Sequence, residues 1–358
     1  MNEPATPVAV SADGATLLIG DGPELLAYRA DGVPLWTHFG DAPIVGVGTG
    51  AGFVLAVDAD GALTRLTQTG DVHDLVPLGG PLLAATVHPS GAVAAVTRGG
   101  IVVLAGAGPP RQIPLPHAAA VAFGPGAHTV GVGTGSGQFV VLDVATGAKR
   151  GSVQLEGRVA AVDWSHQGSW VAGAGANIAR IDPDASAIVH THPTAEPVRA
   201  ITTSADGLAT AALQGKGRIS VYELQGAAHL GDLTVTSSTP GGLTFGRGLT
   251  LVVALEDGDA STVDLLSRSQ GRTEPQAGRG RNAWRLENKV HSAALSGAQA
   301  SHSAGGGPIA SYVPPSAEAG IASKRGLIAG CIGCAGFAAF MGAMFVVVVA
   351  LTYVVRFR

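Results

Sequence analysis

The stretch Val121-Ala122-Phe123-Gly124-Pro125-Gly126-Ala127-His128-Thr129-Val130-Gly131-Val132-Gly133-Thr134-Gly135-Ser136-Gly137-Gln138-Phe139-Val140-Val141-Leu142-Asp143-Val144-Ala145-Thr146-Gly147 decides the fold. It reads as a short alternating strand, a tight turn, an apolar strand, a glycine-rich turn and a third strand that ends on an acid. The same order recurs along the chain. Counterparts of its first turn are Ser11-Ala12-Asp13-Gly14, Thr49-Gly50-Ala51-Gly52, His88-Pro89-Ser90-Gly91, Ser165-His166-Gln167-Gly168, Ser204-Ala205-Asp206-Gly207 and Gly246-Arg247-Gly248-Leu249. The last residues of these turns are 38, 39, 36, 41, 39 and 42 apart, a repeat near 39 residues in seven units. Val162-Asp163-Trp164 is another short leading strand, Thr16-Leu17-Leu18-Ile19 another buried one and Ile219-Ser220-Val221-Tyr222-Glu223 another third strand. A more variable stretch then leads into the next unit.

A Ser-Ala-Asp-Gly turn, an apolar strand, and a strand ending at Asp143 before Val144-Ala145-Thr146-Gly147 together resemble the blades of WD-repeat β-propellers. The resemblance runs over roughly residues 7–290. Of the family's signature Trp-Asp pair the acid is kept, as Asp143, Asp182, Glu223 and Asp264, while the tryptophan and the usual Gly-His pair are absent. That departure bears on the family's structural hydrogen-bond tetrad. The first unit, Leu26-Ala27-Tyr28-Arg29-Ala30-Asp31-Gly32 through Trp36, also resembles quinoprotein-type repeats. Either resemblance implies an all-β fold: a seven-bladed β-propeller of four-stranded antiparallel blades around a channel, over residues 1–295. Asp-Gly and Gly-Gly supply the positive φ of its turns, and small Ala and Val let the sheets converge on the axis. Six or so residues precede the first strand, too few to complete the last blade. The closing strand is therefore expected at 281–293, around Trp284.

Composition excludes several classes. Only 13% of the 358 residues are charged and 46% are apolar, which excludes a charge-rich disordered chain. Two cysteines exclude a disulfide scaffold. The net charge of −4 conceals a split: residues 1–270 hold 13 Lys/Arg against 23 Asp/Glu, and residues 271–358 hold 9 against 3. An acidic body repels nucleic acid and favours basic or neutral partners, so no nucleic-acid partner is expected. The basic tail suits an approach to a membrane surface.

From Gly326 to Val355 the chain has 30 consecutive uncharged residues, flanked by Lys324-Arg325 and by Arg356 and Arg358. As a helix this is about 45 Å long, more than the roughly 30 Å hydrocarbon core of a bilayer. A transmembrane helix is expected over 326–355, with a basic tip at 356–358 and membrane lipid as its partner. Residues 296–325, rich in Ser, Ala, Gly and Pro, are expected to be a disordered tether with a reach of about 30 Å. The N-terminus has no basic region and no apolar stretch of signal-peptide length follows it, so the expected topology is a tail anchor with the large domain cytoplasmic. A C-terminal sorting signal is the competing reading. Arg outnumbers Lys 18 to 4, a GC-rich bacterial bias, which makes a bacterial inner membrane the expected site. Gly326, Gly330, Cys334, Ala338 and Gly342 recur every fourth position and form a small-residue stripe that can pack a second copy, giving a homodimer. A generic Ala/Gly-rich helix is the alternative. Cys331 and Cys334 read as small apolar filler, with lipidation of Cys331 as a minor alternative.

Catalytic and cofactor signals are weak, and neither a cofactor nor a metal is expected. Gly133-Thr134-Gly135-Ser136-Gly137 leads into a strand and lacks a P-loop lysine, so it reads as a hairpin turn rather than a phosphate cradle. Asp58-Ala59-Asp60-Gly61 lacks the later ligands of a calcium loop and reads as an Asp-Gly turn. His190-Thr191-His192 places two imidazoles on one strand face, half a metal site at most. A quinone site would require export. What remains is an acidic rim. Asp21, Glu24, Asp58, Asp60, Glu256, Asp257 and Asp259 fall between second and third strands, and Asp41, Glu156 and Glu196 fall in inter-blade loops. The expected function is a non-catalytic, membrane-tethered scaffold whose rim binds a basic segment of a protein partner. The alternative is a ligand-binding or enzymatic propeller on the extracytoplasmic side.

Overall fold

A computed structural model describes residues 5–265, apart from positions 31, 51, 107, 216, 226–227, 236–238, 247–248, 257 and 259, together with the strand 286–288. The expected tether, the 326–355 span with its stripe Gly326, Gly330, Cys334, Ala338 and Gly342, and the rim residues Asp257 and Asp259 lie outside the described residues. Among the described residues no helix is long and apolar enough to cross a membrane.

Among the described residues, alternating apolar residues between closely spaced turns form strands, apart from one 3-10 turn at Pro125–Ala127. The first blade is β1 (Val8–Val10), β2 (Thr16–Asp21), β3 (Glu24–Arg29) and β4 (Pro34–Phe39). The second is β5 (Ile44–Gly50), β6 (Phe53–Asp58), β7 (Ala62–Leu66) and β8 (Val72–Pro77). The third is β9 (Leu82–Val87), β10 (Val93–Thr97), β11 (Ile101–Ala105) and β12 (Arg111–Pro114). The fourth is β13 (Ala118–Phe123), β14 (Thr129–Thr134), β15 (Gln138–Asp143) and β16 (Lys149–Gln154). The fifth is β17 (Val159–Ser165), β18 (Ser169–Ala174), β19 (Asn177–Ile181) and β20 (Ile188–Pro193). The sixth is β21 (Val198–Thr203), β22 (Ala209–Gln214), β23 (Arg218–Glu223) and β24 (His229–Val235). The seventh contributes β25 (Pro240–Phe245), β26 (Thr250–Leu255) and β27 (Ala260–Asp264) among the described residues. Every pairing is antiparallel, so each blade is a meander from an inner strand to an outer edge.

The repeating turns join first and second strands, as their spacing implies. In Ser204-Ala205-Asp206-Gly207 the Ser204 hydroxyl accepts from the Ala209 N–H at 2.9 Å, while the Gly207 N–H donates to the Ser204 carbonyl at 2.9 Å. Ser11 repeats the arrangement with the Thr16 N–H at 2.9 Å and the Gly14 N–H at 2.7 Å. In these two blades the hydroxyl closes the turn that starts the second strand.

The core lies between blades. Leu18, Leu25, Val47 and Val54 fill the seam of blades one and two; Leu55, Leu63, Val93 and Val103 fill the next. Equivalent clusters occupy the four following seams, the last centred on Leu213, Leu233, Leu251 and Val253 of blades six and seven. Blades four and five meet at Phe139 and Trp170, both fully buried, and the Trp170 indole N–H donates to the Pro183 carbonyl at 3.1 Å. The ring closes where the Thr6 N–H donates to the Gly241 carbonyl at 2.8 Å and β1 packs on β25.

The closing strand needs a correction. A strand does form in the expected 281–293 window, at β28 (Leu286–Asn288), but it runs antiparallel along β24 and not along β27. β24 is the outer strand of the sixth blade, and the free side of an outer strand accepts a further strand.

Candidate binding face and channel mouth

Because strands alternate in direction, the turn after each second strand and the loop before each inner strand share one face. One backbone hydrogen bond per blade ties the two together. Gly20 N–H donates to Pro7 C=O at 2.9 Å, Ala59 to Pro43 at 2.7 Å, Arg98 to Pro81 at 2.9 Å and Gly135 to His117 at 2.7 Å. Gly175 donates to Arg158 at 2.9 Å, Gly215 to Pro197 at 3.0 Å and Glu256 to Thr239 at 3.0 Å. Nearby, each inner strand from the second blade onward carries one residue that the register skips: Val45, Leu83, Ala119, Ala160, Arg199 and Gly241. Such bulges bend a strand and re-aim its side chain, here at the same end of every inner strand.

The described acids of the rim all fall on this face, but they do different things. Asp58 is 8% exposed, and its Oδ1 accepts from the N–H groups of Asp60 at 3.1 Å and Ala62 at 2.8 Å, so its carboxylate is committed to the turn. Asp21 ends β2, and its carboxylate abuts Gly258 of the seventh blade across the closing seam. Glu256 faces Arg199 with 3.6 Å between Oε1 and Nη2, and Glu196 packs its carboxyl against Gly215. Asp41, Asp60 and Glu156 are exposed, and their carboxylates engage none of the described residues. The two glycine-bearing stretches weighed as ligand loops are both hairpin turns: Gly61 at φ +94° closes β6–β7 and Gly137 at φ +89° closes β14–β15.

The face also carries basic side chains that composition did not reveal. Arg98, His117 and Arg158 line one cleft of about 560 Å³ together with Leu83, Pro116 and Ala119. Aligning the repeats on their second turn places Arg98 level with Ala59 and Glu256, and that alignment is the signal that would have found it.

Elsewhere, charged groups serve the architecture. Asp163 on β17 accepts from the Thr203 N–H at 2.7 Å and the Thr203 hydroxyl at 3.0 Å, joining blades five and six. Burial pushes its carboxyl above the ordinary value, against these hydrogen bonds. Asp143, the acid that ends the third strand of the fourth blade, is held well below the ordinary carboxylate range by Arg150 and by the Thr146 N–H and hydroxyl. Asp182 does the same for the next blade: burial raises it, but bonds from Ser186 and Ala187 outweigh burial and lower it. The acid therefore fastens the turn between third and outer strands. His190 and His192 meet edge to face with ring centres 4.5 Å apart, and His192 in turn packs tilted against Tyr222 at 5.1 Å. Among the described residues no group of three or more His, Cys, Asp or Glu is arranged to hold a metal ion.

These features define a seven-bladed β-propeller of antiparallel blades. Two solved structures share this fold. The β-propeller domain of Cps50 (Swd1) from Myceliophteria thermophila superposes with a TM-score of 0.63 at 14% identity, over 73% of this chain and 96% of that one. A chain in the crystal structure of the mitotic checkpoint complex superposes with a TM-score of 0.65 at 11% identity, over 73% of this chain and 89% of that one. No protein-family model matches the chain, and no curated protein matches it in sequence.

Proposed function

We propose that this propeller is a non-catalytic scaffold whose loop face binds a protein partner, tethered to a membrane by residues 326–355. The observation that carries the reading is the loop face itself: its backbone is pinned in every blade, while Asp41, Asp60 and Glu156 stand exposed with uncommitted carboxylates. Rigid loops that present unpaired charge recognise complementary charge with little ordering cost. A basic segment is the partner chemistry that this charge favours. That one structural neighbour was crystallised within the mitotic checkpoint complex fits a role in assemblies. Replacing Asp41, Asp60 and Glu156 together by Lys is expected to abolish cross-linking to the partners that the full-length chain captures. Recovery of the same partners at the same yield would exclude this surface.

The uncharged span and the basic residues on its propeller side favour a cytoplasmic propeller, and the small-residue stripe offers a face for a second copy. Protease added to intact spheroplasts is expected to leave the propeller whole and to degrade it only after lysis. Cleavage before lysis would support instead a ligand-binding propeller on the extracytoplasmic side.

A further inference from the structure

We infer that the cleft over blades three, four and five binds a small phosphorylated anion. Its walls come from three repeats. Arg98 lies in the turn after β10, His117 in the loop before β13 and Arg158 in the loop before β17. The backbone of each is fixed by the repeating bond described above: Arg98 through its N–H, His117 and Arg158 through their carbonyls. His117 is held at φ +63°, a conformation that costs a β-carbon-bearing residue free energy and is sustained here by the surrounding loop.

Three observations point to an anion. None of these three side chains has a hydrogen-bond or ion-pair partner among the described residues. No carboxylate lines the cleft, although Asp41, Asp60 and Glu156 stand on the same face. The cleft is open to solvent and its volume, about 560 Å³, leaves room for a small anion. Two guanidinium groups carry two permanent positive charges in planar forks that match phosphoryl oxygens, and the imidazole adds a third donor. A phosphoryl group concentrates matching negative charge in a small volume, while Leu83, Pro116 and Ala119 offer an apolar wall to an organic moiety. The bulges at Leu83 and Ala119 aim those side chains there. This site is independent of the acidic residues proposed to meet a protein partner.

The test is calorimetric titration of the full-length chain with inorganic pyrophosphate, using succinate and a hexaglutamate peptide as comparison anions. Saturable binding of one pyrophosphate per chain is expected. Arg98→Gln and Arg158→Gln are each expected to weaken it at least tenfold, at an unchanged melting temperature. Arg111→Gln, on the outer strand of the third blade, is expected to leave it unchanged. Three results would overturn the assignment: no saturable pyrophosphate binding, binding indifferent to both arginines, or tighter binding of hexaglutamate with the same arginine dependence. In the last case the cleft takes an acidic peptide.

Discussion

Asp163 shows how a single carboxyl can work against its own charge. Its Oδ2 accepts from two donors of Thr203 across a blade seam, yet burial favours the protonated form and raises its pKa above the ordinary value. A folded state that holds its proton to higher pH than the unfolded chain is stabilised at low pH. That contribution is lost as pH rises from the unfolded value through the raised one. Asp163→Asn keeps an accepting oxygen without the charge, so its stability relative to the wild type is expected to increase as pH rises through that window. Thermal melts of both proteins from pH 3.5 to pH 7 measure it; parallel curves would rule the effect out. Asp143 works in the opposite sense, because Arg150 and Thr146 favour its charged form. Its contribution is present above the ordinary carboxylate value and fades as pH falls towards the depressed one. The two acids stand at different places in the repeat, and only the environment of each, not its residue type, sets the sign.

At the scale of the element, glycine serves spacing as well as turning. Gly48 lies inside β5, and a β-carbon there would sit 2.6 Å from Val87 Cβ on the inner strand of the next blade. Gly48→Val therefore has to push two sheets apart, an overpacking expected to cost about 1–3 kcal/mol. Gly106→Val, where nothing lies within 4 Å, is expected to be close to neutral in the same denaturant titration. Equal effects at the two positions would refute the spacing argument. The turns were legible in the chain because each repeat announces its own: Ser11-Ala12-Asp13-Gly14 and Ser204-Ala205-Asp206-Gly207 need no distant residue to be recognised. Gly48 was not, since its reason is Val87, 39 positions on in another blade. The site divides in the same way. Asp41, Asp60 and Glu156 could be placed on one face from repeat phase alone. Asp58 could not be told apart from them, because the bonds that commit it are made in the folded turn. Arg98, His117 and Arg158 are single basic residues in consecutive repeats, and only the packing of neighbouring blades brings them to one cleft.

For the molecule as a whole, the seven seams are not equal. Six are filled by clusters of buried side chains, whereas among the described residues no such cluster spans blades seven and one. That seam instead holds a groove of about 240 Å³ lined by Leu17, Tyr28, Val252 and Ala260. It is joined by the Thr6–Gly241 hydrogen bond at 2.8 Å and by β1 against β25. β1 is only half-buried along its length, while every residue of β18 is buried. In an array whose units contact only their neighbours, stability is a sum of unit and interface terms, and opening begins at the weakest interface. Opening the seam between blades seven and one leaves six packed seams intact, so it costs less than unfolding the propeller. Native-state hydrogen exchange is therefore expected to release the amides of β1 and β27 well before those of β14 and β18. Deepening the groove with Leu17→Ala is expected to speed exchange in β1 while β18 keeps its protection. Uniform protection around the ring would mean that the closing seam is as strong as the others, and that the clusters do not set where this propeller opens.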